Sequence, residues 1–182
     1  MNKIVVIVLF FVANQVFGQG SSCSNPTYVC SPTTTFTTIT GQVSLGGSIR
    51  GAIPGCYLDT PNEQWFYIRP GTGGTIGGNI TYNGDEDIAF FGPYNDLATA
   101  CADITDGTVP AGFLCRNAGT TSPLTFSGTF TKDKVYLIVL TNYKNTTYSV
   151  SLNFTSNASF LMPTISTQPP ATMCKNSTAQ LQ

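Results

Sequence analysis

The chain of 182 residues contains no histidine, and only 9% of it is charged. Without imidazole, neither a Ser-His-Asp nor a Cys-His catalytic set can be assembled, and the usual histidine-bearing zinc sites are excluded with them. Eight Lys and Arg stand against nine Asp and Glu, for a net charge of −1. Nucleic-acid binding needs clustered cations that displace counterions from phosphates. Only Lys132 and Lys134 sit close together here, around Asp133, so no nucleic-acid partner is implied. Long apolar runs are equally scarce. The one that exists, Ile4 to Ala13, is too short for the roughly 20 residues of a membrane span. It follows a single cation at Lys3 and precedes the small-residue site Val16-Phe17-Gly18, which is the layout of a signal peptide over residues 1–18. The mature chain is therefore expected to be secreted or held at the cell surface, with no membrane span. Gly20-Ser21-Ser22 before Cys23 makes a poor lipobox, so the expected product is soluble.

What the sequence does have is six cysteines, and in an oxidising compartment these are expected as disulfides. Cys101 and Cys115 bracket a stretch with Asp103, Asp106, Gly107, Pro110 and Gly112, a loop with little core of its own, so a bridge between them is the simplest expectation. Cys23, Cys30 and Cys56 form an odd set in which either Cys23 or Cys30 could pair with Cys56. The spacings do not resemble the CxxC pairs of an all-cysteine zinc site.

Thr, Ser, Gly and Asn dominate the rest, and apolar residues alternate over short runs bounded by turn formers, which predicts antiparallel β-structure with almost no helix. Strands are expected near residues 35–43, 47–53, 64–69, 75–82, 88–91, 124–130, 135–141 and 147–154. Eight strands over residues 19–160 fit a disulfide-stabilised β-sandwich of jelly-roll type. Alternation also assigns faces. Trp65 and Tyr67 share one side of their strand, with Phe66 and Ile68 on the other. Val135 to Leu140 is apolar on both sides, as in a central strand covered on both faces. Tyr148, Val150, Leu152 and Phe154 point inward together.

The candidate site residues are few. Asp85 and Asp87 follow the turn pair Asn83-Gly84 and could offer hard oxygen ligands to a structural calcium ion, although the loop departs from the EF-hand pattern. The alternative is a solvated turn. Glycoside hydrolysis needs two carboxyl groups facing each other across a sugar. Neighbouring acids on one turn cannot do this, and no second acid such as Asp59, Glu63 or Asp96 is singled out, so the chain is expected not to be an enzyme. Tyr94 and Tyr143, with Tyr57 and Tyr82, lie at strand ends or in loops, where an exposed ring could bind a glycan. The sequons at Asn79, Asn145, Asn153, Asn157 and Asn176 carry meaning only in a eukaryotic host.

The order Trp65-Phe66-Tyr67-Ile68, then Asp85-x-Asp87-Ile88-Ala89-Phe90-Phe91-Gly92-Pro93-Tyr94, then Cys101 and Cys115, then Val135 to Tyr143 resembles modules of secreted Bacteroidetes proteins that are similar to pre-peptidase C-terminal-like domains. The resemblance runs from about Cys23 to Ser156, with Leu140 and Lys132-Asp133-Lys134 as departures. It implies a β-sandwich in which calcium binding occurs in some members, and export by the Sec and type IX routes. Residues 161–171, with Pro163, Pro169 and Pro170, read as a linker. Residues 172–182 read as the first strand of a truncated immunoglobulin-like domain, so the chain is expected to be the N-terminal portion of a longer protein. The function expected from this organisation is a non-catalytic extracellular module for adhesion or domain presentation, with an extracellular protein or glycan as partner. An accessory domain of a secreted peptidase or polysaccharide hydrolase, and a carbohydrate-binding module, are the alternatives.

Overall fold

The computed structural model describes residues 20, 22–38, 62–105, 114–117, 122–155 and 159–161. The expected signal peptide, the strand near 47–53, Cys56, Tyr57, Cys174 and nearly all of the stretch from 161 onward lie outside the described residues. The elements run β1 (Thr27–Tyr28), β2 (Thr33–Thr37), β3 (Gln64–Ile68), β4 (Gly74–Thr81), β5 (Glu86–Tyr94), α1 (Leu97–Thr105), β6 (Cys115–Asn117), β7 (Leu124–Phe130), β8 (Val135–Asn142) and β9 (Ser149–Thr155). They form a five-stranded sheet in the order β1-β3-β8-β5-β6 and a four-stranded sheet in the order β2-β9-β4-β7. Every pairing is antiparallel except β1 with β3. The fold is thus an all-β sandwich, as alternation predicts.

One core fills the space between the sheets. Phe66 and Ile68 of β3, Ile88 and Phe90 of β5 and Ile138 of β8 meet Ile80 of β4, Phe126 and Phe130 of β7 and Leu152 of β9. The Phe90 ring lies 4.9 Å from Phe126 and 6.1 Å from Phe130, and Phe130 packs edge-on to Tyr136 at 4.8 Å. Off-parallel pairs of this kind add to what burial alone contributes. A second core lies on the far side of the five-stranded sheet, where Trp65, Phe91, Leu137 and Val139 are roofed by Ala100 and Ile104 of α1. β8 contributes to both cores and is buried at all eight positions, which matches its apolar run.

The helix α1 is the main departure from the sequence reading. Asp96 caps it, accepting Thr99 N–H on Oδ1 at 2.8 Å and the Thr99 hydroxyl on Oδ2 at 3.0 Å. These bonds satisfy donors that a helix start otherwise leaves open. They also hold the Asp96 carboxyl below its ordinary range, the Thr99 backbone contributing most. Helix formation carries Cys101 over the sheet to Cys23, and the two are bonded, with Cα atoms 5.4 Å apart. The expected Cys101–Cys115 bridge is therefore corrected. Cys101 lies on a helix above the sheet, whereas Cys115 lies within the sheet on β6, opposite Ala89 of β5. Cys30 and Cys115 are disulfide-bonded as well.

The residues on either side of β1 are tied along the edge of β3 by Trp65 N–H to the Gly20 carbonyl at 2.7 Å and Val29 N–H to the Tyr67 carbonyl at 2.9 Å. Residues 159–161 return to the chain after β3, with Gly71 N–H bonding the Ser159 carbonyl at 2.7 Å and Leu161 N–H the Arg69 carbonyl at 2.8 Å.

Candidate functional site

The acidic turn feeds β5, and strand alternation decides what each acid does. Ile88 and Phe90 face the inter-sheet core, so Glu86, two residues earlier, faces it too. Asp87, Ala89 and Phe91 take the other side, toward α1. Adjacent carboxylates on opposite faces of a sheet cannot grip one substrate.

Glu86 is 1% exposed and accepts a short hydrogen bond from the Tyr148 hydroxyl on Oε1. That hydroxyl lies 3.2 Å from Asn142 Oδ1, and the Asn142 amide donates to the Thr146 carbonyl at 2.9 Å. Tyr148 N–H is in turn held by Thr38 Oγ1 at 3.0 Å, and Asn62 Nδ2 bonds the Asn142 carbonyl at 2.9 Å. The cluster ties the two sheets together at one end. Burial pushes the Glu86 carboxyl up to about 8; Asp87 and Asp85 add to the rise, while the Tyr148 bond opposes it. Burial, then the bond to Glu86, holds the Tyr148 phenol well above its usual range. Tyr82, near the same acids, is pushed up to about 12, first by burial and then by Glu86. Gly84 is required beneath this cluster, because a Cβ there would lie 2.1 Å from the Tyr148 hydroxyl.

Asp87 is 2% exposed, and its backbone N–H donates to Thr141 Oγ1 at 3.2 Å. Asp85 is half-buried, and its carbonyl accepts Tyr143 N–H at 3.0 Å. No group of three or more acidic or cysteine side chains able to hold a metal occurs among the described residues. Nor is the turn simply solvated, since two of its three acids are buried. Glu63, 3% exposed, accepts the Trp65 indole N–H on Oε2 at 2.9 Å. In the sequence an acid before a strand reads as solvated, and its place two residues from Trp65 is the signal for burial. Glu86 was legible in the same way, by extending the alternation of β5 back one step.

The two tyrosines expected to bind ligand are not brought together. Tyr94 pairs with Val135 and Glu86 with Asn142, so Tyr94 and Tyr143 stand at opposite ends of the β5–β8 ladder, roughly 25 Å apart at a strand's rise per residue. Tyr94 is only 4% exposed and packs beneath α1, which corrects its reading as an exposed ring. Its hydroxyl is buried without a hydrogen-bond partner among the described residues, and burial and then Asp103 push it up to about 12. Tyr82 is buried as well, at 6%, and Tyr143 is half-buried. The more open aromatic pair is Tyr28 and Tyr67, with ring centroids 4.7 Å apart. Arg69, two residues further along the chain, bonds the Asp133 carbonyl through Nη2 at 3.2 Å.

The outward face of the four-stranded sheet has a different character. Its strands alternate buried and outward positions, and every outward position is Thr, Ser, Asn or Gly. β2 presents Thr33, Thr35 and Thr37, and β7 presents Thr125, Ser127 and Thr129. Thr35 and Ser151 hydroxyls meet at 3.1 Å, and Asn153 Nδ2 donates to Asn79 Oδ1 at 3.2 Å.

Among the described residues no helix is long and apolar enough to cross a membrane. Compared with known protein families, with curated proteins and with solved structures, the chain finds no match in any of the three.

Proposed function

We propose that this chain is a non-catalytic extracellular module that serves adhesion or the presentation of neighbouring domains, built on a jelly-roll type of sandwich and exported through the leader at residues 1–18. The observation that carries the reading is the oxidised state of all four cysteines among the described residues, with Cys23 bonded to Cys101, since such bonds persist in oxidising compartments. The absence of a catalytic role rests on where the acids are committed. Glu86 is bonded to Tyr148 between the sheets, Glu63 to Trp65, and Asp87 is buried on the opposite face. The resemblance to pre-peptidase C-terminal-like modules and the immunoglobulin-like reading of residues 172–182 add the expectation of a longer, type IX-exported protein. An accessory role beside a hydrolase differs only in what the neighbouring domain is.

The test is fractionation and N-terminal sequencing of the native protein. The expected result is a surface or culture-fluid protein that begins after Gly18 and continues into further domains. A cytoplasmic protein that retains Lys3 and the apolar run overturns the reading, and a hydrolase signature in the same polypeptide selects the accessory role.

A further inference from the structure

The outward face of the four-stranded sheet is a two-dimensional array of short, neutral hydrogen-bonding side chains, and the strand register sets its rows. Thr33 lies opposite Asn153, Asn153 opposite Asn79, and Asn79 opposite Thr125, so one row crosses all four strands. The next row runs from Thr35 through Ser151 to Thr81. Thr33, Thr35, Thr81 and Thr125 are exposed, and Asn79, Ser151 and Asn153 are half-buried. The solvent side of an antiparallel sheet is ordinarily polar, but charged side chains usually make up a large part of a protein surface. Here the outward positions carry neither charge nor an aromatic ring, while on the far face of the other sheet a helix and a disulfide form the roof.

We propose that this face binds an extended neutral polysaccharide laid across the strands. Three features of the array define that occupant. Its positions are uncharged, which matches an uncharged polymer. Apart from the glycine position at Gly77, each offers a hydroxyl or amide that both donates and accepts, as sugar hydroxyls do. Its repeat across the row is the inter-strand spacing of about 4.8 Å, close to the advance of one pyranose residue along an extended chain, so each strand meets one sugar. Each hydrogen bond contributes only about 1 kcal/mol net, so retention depends on many contacts to a polymer rather than on one contact to a monosaccharide. Thr and Ser lose little side-chain freedom when ordered, and the Thr35–Ser151 and Asn153–Asn79 bonds hold part of the array in place before binding. The inference rests on the extracellular reading above and names the ligand class of that module.

The test is depletion of the purified full chain onto microcrystalline cellulose, chitin and insoluble β-1,3-glucan. The expected result is retention on at least one of them, unchanged when ionic strength is raised to about 1 M, where charge interactions are screened within about 3 Å. Thr35→Glu, Thr81→Glu and Thr125→Glu together should cut retention roughly tenfold or more, a difference of about 1.4 kcal/mol. The three matching Thr→Ser changes should preserve it, as should Tyr67→Ala on the other sheet. All the Thr positions are exposed, and an unchanged melting temperature verifies that each variant folds. Retention on none of the three polymers overturns the inference, as does retention that salt abolishes. Loss with Tyr67→Ala moves the site to the Tyr28–Tyr67 pair, and enrichment in growing ice without polymer retention assigns the face to crystalline water; either result also overturns it. An exported protein that ignores all three polymers refutes this inference alone, whereas a cytoplasmic one refutes the reading beneath it.

Discussion

The two sheets of this sandwich treat their outward faces in opposite ways. The five-stranded sheet covers its far side with a helix and a disulfide, so Trp65, Phe91 and Leu137 are sealed from water. The four-stranded sheet leaves its far side as rows of threonine, serine and asparagine. The two sheets share the core between them, but only the five-stranded sheet has a second core on its far side. Substitutions should distinguish the two.

The largest effect is expected from the staple. Replacing Cys23 and Cys101 together by Ala should cost on the order of 4 kcal/mol in denaturant unfolding, given a sequence separation of 78. A loss below about 1 kcal/mol would mean that α1 stays docked without it. Leu137→Ala, fully buried beneath the helix, should lower stability by about 3 kcal/mol. The buried acid gives a pH signature. The Glu86 carboxyl is raised from 4.5 to about 8 in the folded state, so its contribution is fully present below its unfolded value and is lost as pH rises through about 8. The unfolding free energy should thus fall by a few kcal/mol between about pH 5 and 8 from this group. Glu86→Gln, which keeps an acceptor for Tyr148, should flatten that slope; an unaltered slope would show that another group titrates. Gly84→Ala forces the Tyr148 ring to move and should cost about 1–3 kcal/mol. On the open face, Ser127→Ala should change stability by less than about 0.5 kcal/mol.

Which side of each strand turns inward was largely legible in the sequence, because it depends on period two. The split of Phe66 and Ile68 from Trp65 and Tyr67, the inward set Val150, Leu152 and Phe154, and the two-sided burial of Val135 to Leu140 all follow from alternation and are all observed. What alternation does not carry is the roof. Asp96-Leu97-Ala98-Thr99-Ala100 holds a cap and helix-forming alanines, but a helix of nine residues is too short to be stable by propensity alone. It persists because Ala100 and Ile104 pack on the sheet and Cys101 is stapled. The same helix accounts for two other departures from the sequence reading, the bonding of Cys101 to Cys23 and the burial of Tyr94. The candidate site was less legible than the fold. Acids near a turn read as solvated until the tertiary structure buries them, and a face of threonines reads as composition until register aligns it into rows.

β8 lies at the centre of the five-stranded sheet, and β3 and β5 are joined there only through it. Of the nine strands among the described residues it is also the eighth to leave the ribosome. Until residues 135–142 arrive, β3 and β5 have no common partner and the roof of α1 has half a floor. The sheet is therefore completed late and through long-range pairing, which is intrinsically slow. A nascent chain that stalls before Val135 holds aromatic strands with nothing between them, so the fold commits as a whole only once β8 has been delivered.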